Sequence, residues 1–374
     1  MRVCRNVGGT LMVMQFGLSM LPTFPTIAPR TLTRDPNGEE IIMQSLKTVL
    51  ASLAITMAAA GAAACEPLLI RNSYVVAIDW QPLLVAKKDL ASHWGKSYVM
   101  EAVRYQGTPP MITALANGEL EIAALAYSTL GIAVENAGIG DLRVISDQFR
   151  DGVSGYFSNQ FFVRRDSGIK KIEDLKGKVL ATNAIGAGVD IAMKAGLKKH
   201  GLIDKRDYTV IEAPFPTMPV MLSEKKADLV TAVMPFATSP ELNQIGVPLY
   251  DQTEGMGPTQ FLIWAARQSW VDKNRAALID YMEDMMRIER WYLDPKNHDE
   301  VAKIVGAMVK APPERFSWLF TQKDYYRDPS MMPDLAALQR NVDLTYEMGF
   351  IKSKLDVKAH SDLSLIEEAA KRFK

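Results

Sequence analysis

Cysteine is almost missing from this chain of 374 residues. Its two cysteines, Cys4 and Cys65, cannot build a disulfide scaffold or a thiolate zinc site. Histidine is scarce too, with four residues (His93, His200, His298 and His360) too scattered for a histidine-based metal centre. Net charge is absent, since 43 basic residues balance 43 acidic ones, and no basic face for nucleic acid is indicated. Long apolar runs are missing as well. The most apolar stretch, Thr48 to Ala60, falls short of the roughly 20 residues that a membrane span needs. What is present is an ordinary globular composition, 48% hydrophobic and 23% charged, which excludes wholesale disorder. At about 150 residues per domain, the length fits two domains or one large one.

The N-terminal region carries the clearest local signal. From Met43 the chain reads MQSLKTVLASLAITMAAAGAAACEP. Lys47 is a short positive segment, Thr48 to Ala60 an uncharged apolar core, and Ala62-Ala63-Ala64 a small-residue cleavage site. That is the layout of a secretory signal peptide. Met43 is therefore expected to be the true start, and residues 1–64 stand outside the fold. Cys65 directly follows the three alanines, so lipid anchoring through Cys65 stands beside ordinary cleavage. Ala62 occupies the position where a lipobox has leucine.

Beyond Cys65, strands and helices alternate. Ser73 to Ile78, Val99 to Tyr105, Ile122 to Ala126 and Leu142 to Gln148 read as strands. Pro82 to Leu90, Thr108 to Asn117 and Thr129 to Ala137 read as the helices between them, with Thr108 as an N-cap before two prolines. A second cycle has strands at Gln160 to Arg164, Lys178 to Thr182, Tyr208 to Glu212 and Leu229 to Val233. Its helices are Ile172 to Leu175, Val189 to His200 and Pro216 to Glu224. From about Asp272 onward the pattern turns helical. This rhythm predicts two parallel-rich α/β domains.

In such sheets ligands sit beyond the C-terminal strand ends, so the strand-to-helix turns are the places to look. They read Asp79-Trp80-Gln81, Gln106-Gly107-Thr108, Tyr127-Ser128-Thr129, Asn183-Ala184-Ile185-Gly186-Ala187-Gly188, Pro214-Phe215-Pro216-Thr217 and Met234-Pro235-Phe236. They are rich in glycine, hydroxyls and aromatics, and poor in lysine and arginine. Free N–H groups at helix starts favour an anion. Trp80, Tyr127 and Phe236 suit an aromatic body. Taken singly, each of these residues also fits ordinary capping or core packing.

Three segments carry a family resemblance: Ala77 to Lys88 (AIDWQPLLVAKK), Ile112 to Leu125, and Phe162 to Gly188 with its DLKGK run at Asp174 to Lys178. In these the chain resembles the periplasmic solute-binding proteins of nitrate, sulfonate and taurine ABC importers, the NMT1-like group. The resemblance is clear over about residues 70–265. It implies the type II periplasmic binding protein fold, two α/β lobes joined by two crossing strands, with a helical C-terminal region. Lobe one would be 66–155 with 265–374, and lobe two 156–264. The crossings would run near Ser154 to Phe162 and Thr259 to Trp264. The implied pocket takes Trp80, Gln81, Gly107, Thr108, Tyr127 and Ser128 from one lobe. It takes Gly186, Ala187, Gly188, Thr217, Met218 and Phe236 from the other, with Asn159 at a crossing. The implied protein is periplasmic and monomeric, binds a small molecule, and hands it to an ABC permease. No cofactor, metal or nucleic acid is expected. No arginine stands in these turns to clamp a sulfonate or carboxylate, so an anion would rest on neutral donors, and a heterocycle is an equal candidate.

The same fold also hosts enzymes, among them thiamine-pyrimidine synthases and a menaquinone-pathway lyase. The synthases use a cysteine-rich motif with histidines that this chain lacks. Gly186-Ala187-Gly188 lacks the third glycine of a dinucleotide fingerprint. A non-enzymatic role is expected.

Overall fold

A computed structural model describes residues 66–136, 138–153 and 155–373. The expected signal peptide, Cys65 and Ser154 lie outside the described residues. Two five-stranded sheets organise the rest, and Pro67–Lys374 forms one compact unit. Among the described residues, no helix is long and apolar enough to cross a membrane.

The first sheet runs β2-β1-β3-β10-β4. Its strands are β1 (Leu68–Tyr74), β2 (Tyr98–Arg104), β3 (Ile122–Ala126), β4 (Leu142–Asp151) and β10 (Thr259–Arg267). β1 pairs in parallel with β2 and β3, while β10 is antiparallel to β3 and β4. All five β3 residues are buried, as expected of a short apolar strand covered on both faces. The second sheet runs β7-β6-β8-β5-β9. It contains β5 (Gln160–Arg164), β6 (Lys178–Thr182), β7 (Tyr208–Glu212), β8 (Leu229–Ala232) and β9 (Gly246–Asp251). Here β5 is antiparallel to both β8 and β9. Each sheet is therefore mixed, where the sequence rhythm suggested mainly parallel pairing. The cause is the same in both: one strand arrives from the opposite lobe and runs against its neighbours.

Several element ends differ from the sequence reading, and two boundaries and one capping role matter for the site. The first strand begins at Leu68, because Leu68 to Tyr74 finds a complete parallel partner in Tyr98 to Arg104. Val75 to Ile78 is left as the loop beyond the strand end. Strand β10 lies wholly in the first sheet, so the second crossing precedes Thr259 and the lobe boundary falls before it, not at Trp264. Thr108 precedes a helix but does not cap it: its backbone is already helical and its hydroxyl makes no capping bond.

Helices cover both sheets. α1 (Trp80–Ala86), α2 (Pro109–Ala116) and α3 (Tyr127–Asn136) follow β1, β2 and β3. α4 (Gly188–Lys199) follows β6, α5 (Met218–Ser223) follows β7, and α6 (Pro240–Ile245) with α7 (Thr253–Met256) flank β9. The tail supplies α8 (Gln268–Leu293), α9 (His298–Val309), α10 (Leu335–Glu347) and α11 (Ser364–Ala370). α8 buries Leu278, Met282, Met285, Ile288 and Tyr292, a stripe at helical spacing, against the first sheet and α11. The tail thus completes lobe one.

Candidate ligand cleft

The C-terminal ends of β1, β2, β3, β6, β7 and β8 meet where the two sheets face each other. The lobes touch there through defined hydrogen bonds. The Tyr127 hydroxyl donates to the Gly188 carbonyl at 2.8 Å, and Ser128 Oγ donates to the Gly186 carbonyl at 3.0 Å. Gln106 Nε2 donates to the Asn183 carbonyl, and Asn183 Nδ2 returns a bond to the Gln106 carbonyl, both at 3.0 Å. The Met234 N–H donates to the Tyr325 hydroxyl at 3.1 Å. The lobes are closed on each other.

Two neighbouring cavities lie at these strand ends, beside a third of about 560 Å³ near Tyr156, Met234, Thr238 and Lys323. The inner one is small, about 50 Å³, room for a head group of a few atoms. Val76, Asp79, Thr108, Asn183, Ala187 to Val189, Phe261 and Tyr325 are among its walls. The outer one is about 850 Å³ and mostly apolar. Phe215, Phe236, Pro235, Phe316 and Trp318 line it, with Arg104, Arg315 and Glu241 as its charged groups. Phe215 and Phe236 stack at 5.9 Å with nearly parallel rings. Val75, Val76 and Phe215 border both spaces, so the two cavities are immediate neighbours.

The candidates distribute unevenly over this cleft. Thr108, Ala187 and Gly188 line the inner cavity, and Phe236 lines the outer one. Tyr127, Ser128 and Gly186 make the cross-lobe bonds, and Gly107 sits at the same seam: a Cβ there would lie 2.8 Å from Ala184 Cβ. Trp80 is only 1% exposed and lines neither cavity. Its ring meets Tyr292 and Phe320 edge-on inside lobe one, because α1 turns that face toward α8. Gln81 is equally buried and bonds Gln148 at 3.0 Å. Thr217 is exposed and its hydroxyl closes its own turn on the Pro214 carbonyl. Met218 faces the core of lobe two. Asn159 ties the two crossings together: its Nδ2 donates to Gln252, and its Oδ1 accepts from the Tyr325 hydroxyl.

Sequence reasoning passed over two polar residues in turns it had singled out, Asp79 and Asn183, and four aromatics from distant segments, Phe149, Phe261, Trp318 and Tyr325. Asp79 immediately precedes Trp80, and the inward turn of Trp80 leaves Asp79 at the cleft. Its Oδ2 accepts from the Val75 and Val76 N–H groups at 2.8 and 2.7 Å. Burial pushes its carboxyl up to about 6, against the pull of those N–H groups and of Arg327. Arg327 is itself held by Asp324 at 2.7 Å and covers the Phe320 ring. The lining of both cavities contains no histidine, cysteine or lysine. His93 pairs with Asp284, and His200 with Glu173 and Glu254, away from the cleft. Among the described residues no cluster of metal-ligating side chains occurs.

Solved structures share this architecture. The alkanesulfonate-binding protein SsuA from Xanthomonas axonopodis pv. citri, bound to MOPS, superposes with a TM-score of 0.65 at 17% identity, covering 80% of this chain and 100% of that one. The periplasmic nitrate-binding protein NrtA from Synechocystis PCC 6803 gives 0.64 at 15% identity, covering 83% and 90%. A cysteine-to-serine mutant of the desulfurization enzyme DSZB, in complex with biphenyl-2-sulfinic acid, gives 0.59 at 13% identity, covering 81% and 99%. No curated protein sequence matches the chain. The fold is thus that of the periplasmic binding proteins, two α/β lobes around a cleft. The profile of the NMT1-like family matches residues 65–306, nearly two thirds of the sequence, and the chain belongs to that family.

Proposed function

We propose that the protein is an exported solute-binding protein that delivers a small organic solute, an organic anion or a heterocycle, to an ABC import permease. The observation that carries this reading is the pair of neighbouring cavities that lie between two lobes latched across the cleft. Such a clamp needs no bond chemistry, only a ligand that prefers the closed state. A head group would enter the inner cavity beside Thr108, Ala187 and Gly188, and an apolar body would lie in the outer one against Phe215 and Phe236. Binding proteins for sulfonates and nitrate share the fold, which supports transport. The protein would act in the periplasm as a monomer, its lobes free to dock on the permease, either soluble or anchored through Cys65.

An enzyme is the second reading, favoured by the DSZB likeness. Against it, neither cavity is lined by a cysteine or histidine that could serve as nucleophile or base. A thermal-shift panel of alkyl and aryl sulfonates, aromatic carboxylates, nitrate, and pyrimidine and purine bases tests both. A ligand that binds only the folded state raises the midpoint. A clear rise with the compound recovered unchanged supports the binding protein. Chemical conversion of the compound supports the enzyme.

A further inference from the structure

The inner cavity holds an unusual set of unsatisfied groups. Asn183 is 3% exposed, and its Oδ1 has no hydrogen-bond partner. The amide orientation is fixed, because Nδ2 donates to the Gln106 carbonyl, so the free atom is the acceptor. Both backbone bonds to Asp79 land on Oδ2, which leaves Oδ1 a second free acceptor in the same cavity. Thr108 is 5% exposed, and its hydroxyl is buried without a partner. Gly188 and Val189, the first residues of α4, add N–H groups that precede the first bond within that helix. No positively charged side chain lines this space.

We infer that the inner cavity is built for a neutral head group carrying both N–H donors and an acceptor atom, such as a carboxamide, a lactam or an amino-substituted heterocycle, and that it discriminates against acceptor-only oxyanions. The inference rests on the solute-binding reading and narrows its ligand class. A carboxamide matches the set: its NH₂ can satisfy Asp79 and Asn183, and its oxygen can accept from Thr108 or the start of α4. A sulfonate, carboxylate or nitrate offers acceptors only. It would leave the buried Asn183 Oδ1 unpaired and would stand beside the half-buried Asp79 carboxylate. The positive end of α4 does not reverse this, because Asp190 in its first turn already accepts from the Gly186 N–H and pairs with Lys194 at 2.9 Å. Arg327 favours the ionised form of Asp79, burial opposes it, and the carboxyl titrates below neutral pH. Recognition of the ligand through its donors gives steeper selectivity than an apolar pocket can, since an analogue without them leaves the site unsatisfied.

Isothermal titration of the protein at pH 7.5 with matched pairs tests the inference. The probes are benzamide against benzoate, benzenesulfonamide against benzenesulfonate, and 4-biphenylcarboxamide against 4-biphenylcarboxylate. The expected result is that the neutral member binds roughly tenfold or more tightly in each pair that binds. Asp79→Asn, which keeps an acceptor for the Val75 and Val76 N–H groups and adds a donor, should narrow or reverse that ratio. Oxyanions that bind the native protein as tightly as their neutral partners would overturn the inference and leave the solute-binding reading intact. A neutral preference that Asp79→Asn leaves unchanged would also overturn it. Binding by no member of either set would overturn the inference, while a shift with any compound of the wider thermal panel would leave the solute-binding reading standing.

Discussion

The Tyr127 hydroxyl donates to the Gly188 carbonyl at 2.8 Å, and so joins the first residue of α3 in one lobe to the first residue of α4 in the other. Ser128 repeats the link on Gly186 one residue further along. Both donors sit at the end of β3, and both acceptors belong to the turn that leads into α4. Closure of the cleft is therefore built from the same turns that border the inner cavity. Opening must break these bonds, and a ligand held by both lobes adds to them.

Removing the latch should favour the open form. Tyr127→Phe deletes one net hydrogen bond, about 1 kcal/mol, which corresponds to roughly a fivefold drop in the closed-to-open ratio. Small-angle scattering of the ligand-free protein should show a larger radius of gyration for Tyr127→Phe combined with Ser128→Ala. An unchanged radius would mean that packing, not these bonds, holds the lobes together.

Gly188 should tolerate no side chain. A Cβ there would lie 2.9 Å from the Phe261 ring and 3.0 Å from Ala126 Cβ, both across the seam in lobe one. Gly188→Ala is expected to cost about 1–3 kcal/mol by overpacking, either as stability or as lost closure. Thermal unfolding together with scattering separates the two. An unaltered midpoint with unaltered dimensions would contradict the tight approach.

Trp80 is a core residue, and its removal should be felt as instability. Trp80→Ala empties the space between Tyr292 and Phe320 and is expected to cost about 3–5 kcal/mol. Urea unfolding measures it. A loss below 1 kcal/mol would show that the ring does not pack as described.

Stability should fall as pH rises from 5 to 8. Burial pushes the Asp79 carboxyl up to about 6, and those of Asp147 and Asp151 up to about 7, all above their unfolded value. The folded chain then binds more protons than the unfolded chain in this window, so stability is lost as pH climbs through the folded pKa values. His200, raised by Glu173 and Glu254, contributes with the same sign. Carboxylates held below their usual range, such as Asp141 and Glu254, act mainly below pH 5 and oppose the trend only at the acid edge of this window. Calorimetry should show a lower midpoint at pH 8 than at pH 5, and Asp147→Asn should flatten the slope. A midpoint that rises with pH would contradict the burial of these carboxyls.

Much of the fold was legible in the sequence, and the reasons are local. Ile122–Ala126, Gln160–Arg164, Lys178–Thr182 and Tyr208–Glu212 are strands with the ends read from sequence, because each is a short run bounded by polar, charged or turn residues. β9 was hidden by Pro248, which reads as a breaker and is tolerated here on an edge strand. The turns around the cleft were legible too, since strand ends in α/β sheets are marked by glycine and hydroxyl residues. The direction of each side chain was not. Asp79 and Trp80 are adjacent, yet one faces the cavity and the other the core, and only the packing of α1 on α8 decides which. Phe149, Phe261, Trp318 and Tyr325 reach the cleft from segments far apart in the chain, and no local pattern marks them.

Filling the inner cavity tests the central claim most directly. The measurement is native mass spectrometry of the protein after exposure to a panel of small amides, heterocycles and organic anions, beside Thr108→Phe, whose ring would occupy the space that Thr108 now lines. The account predicts a one-to-one adduct on the native protein that is lost in the folded variant. An adduct of equal abundance on both proteins would place the ligand elsewhere and contradict the account.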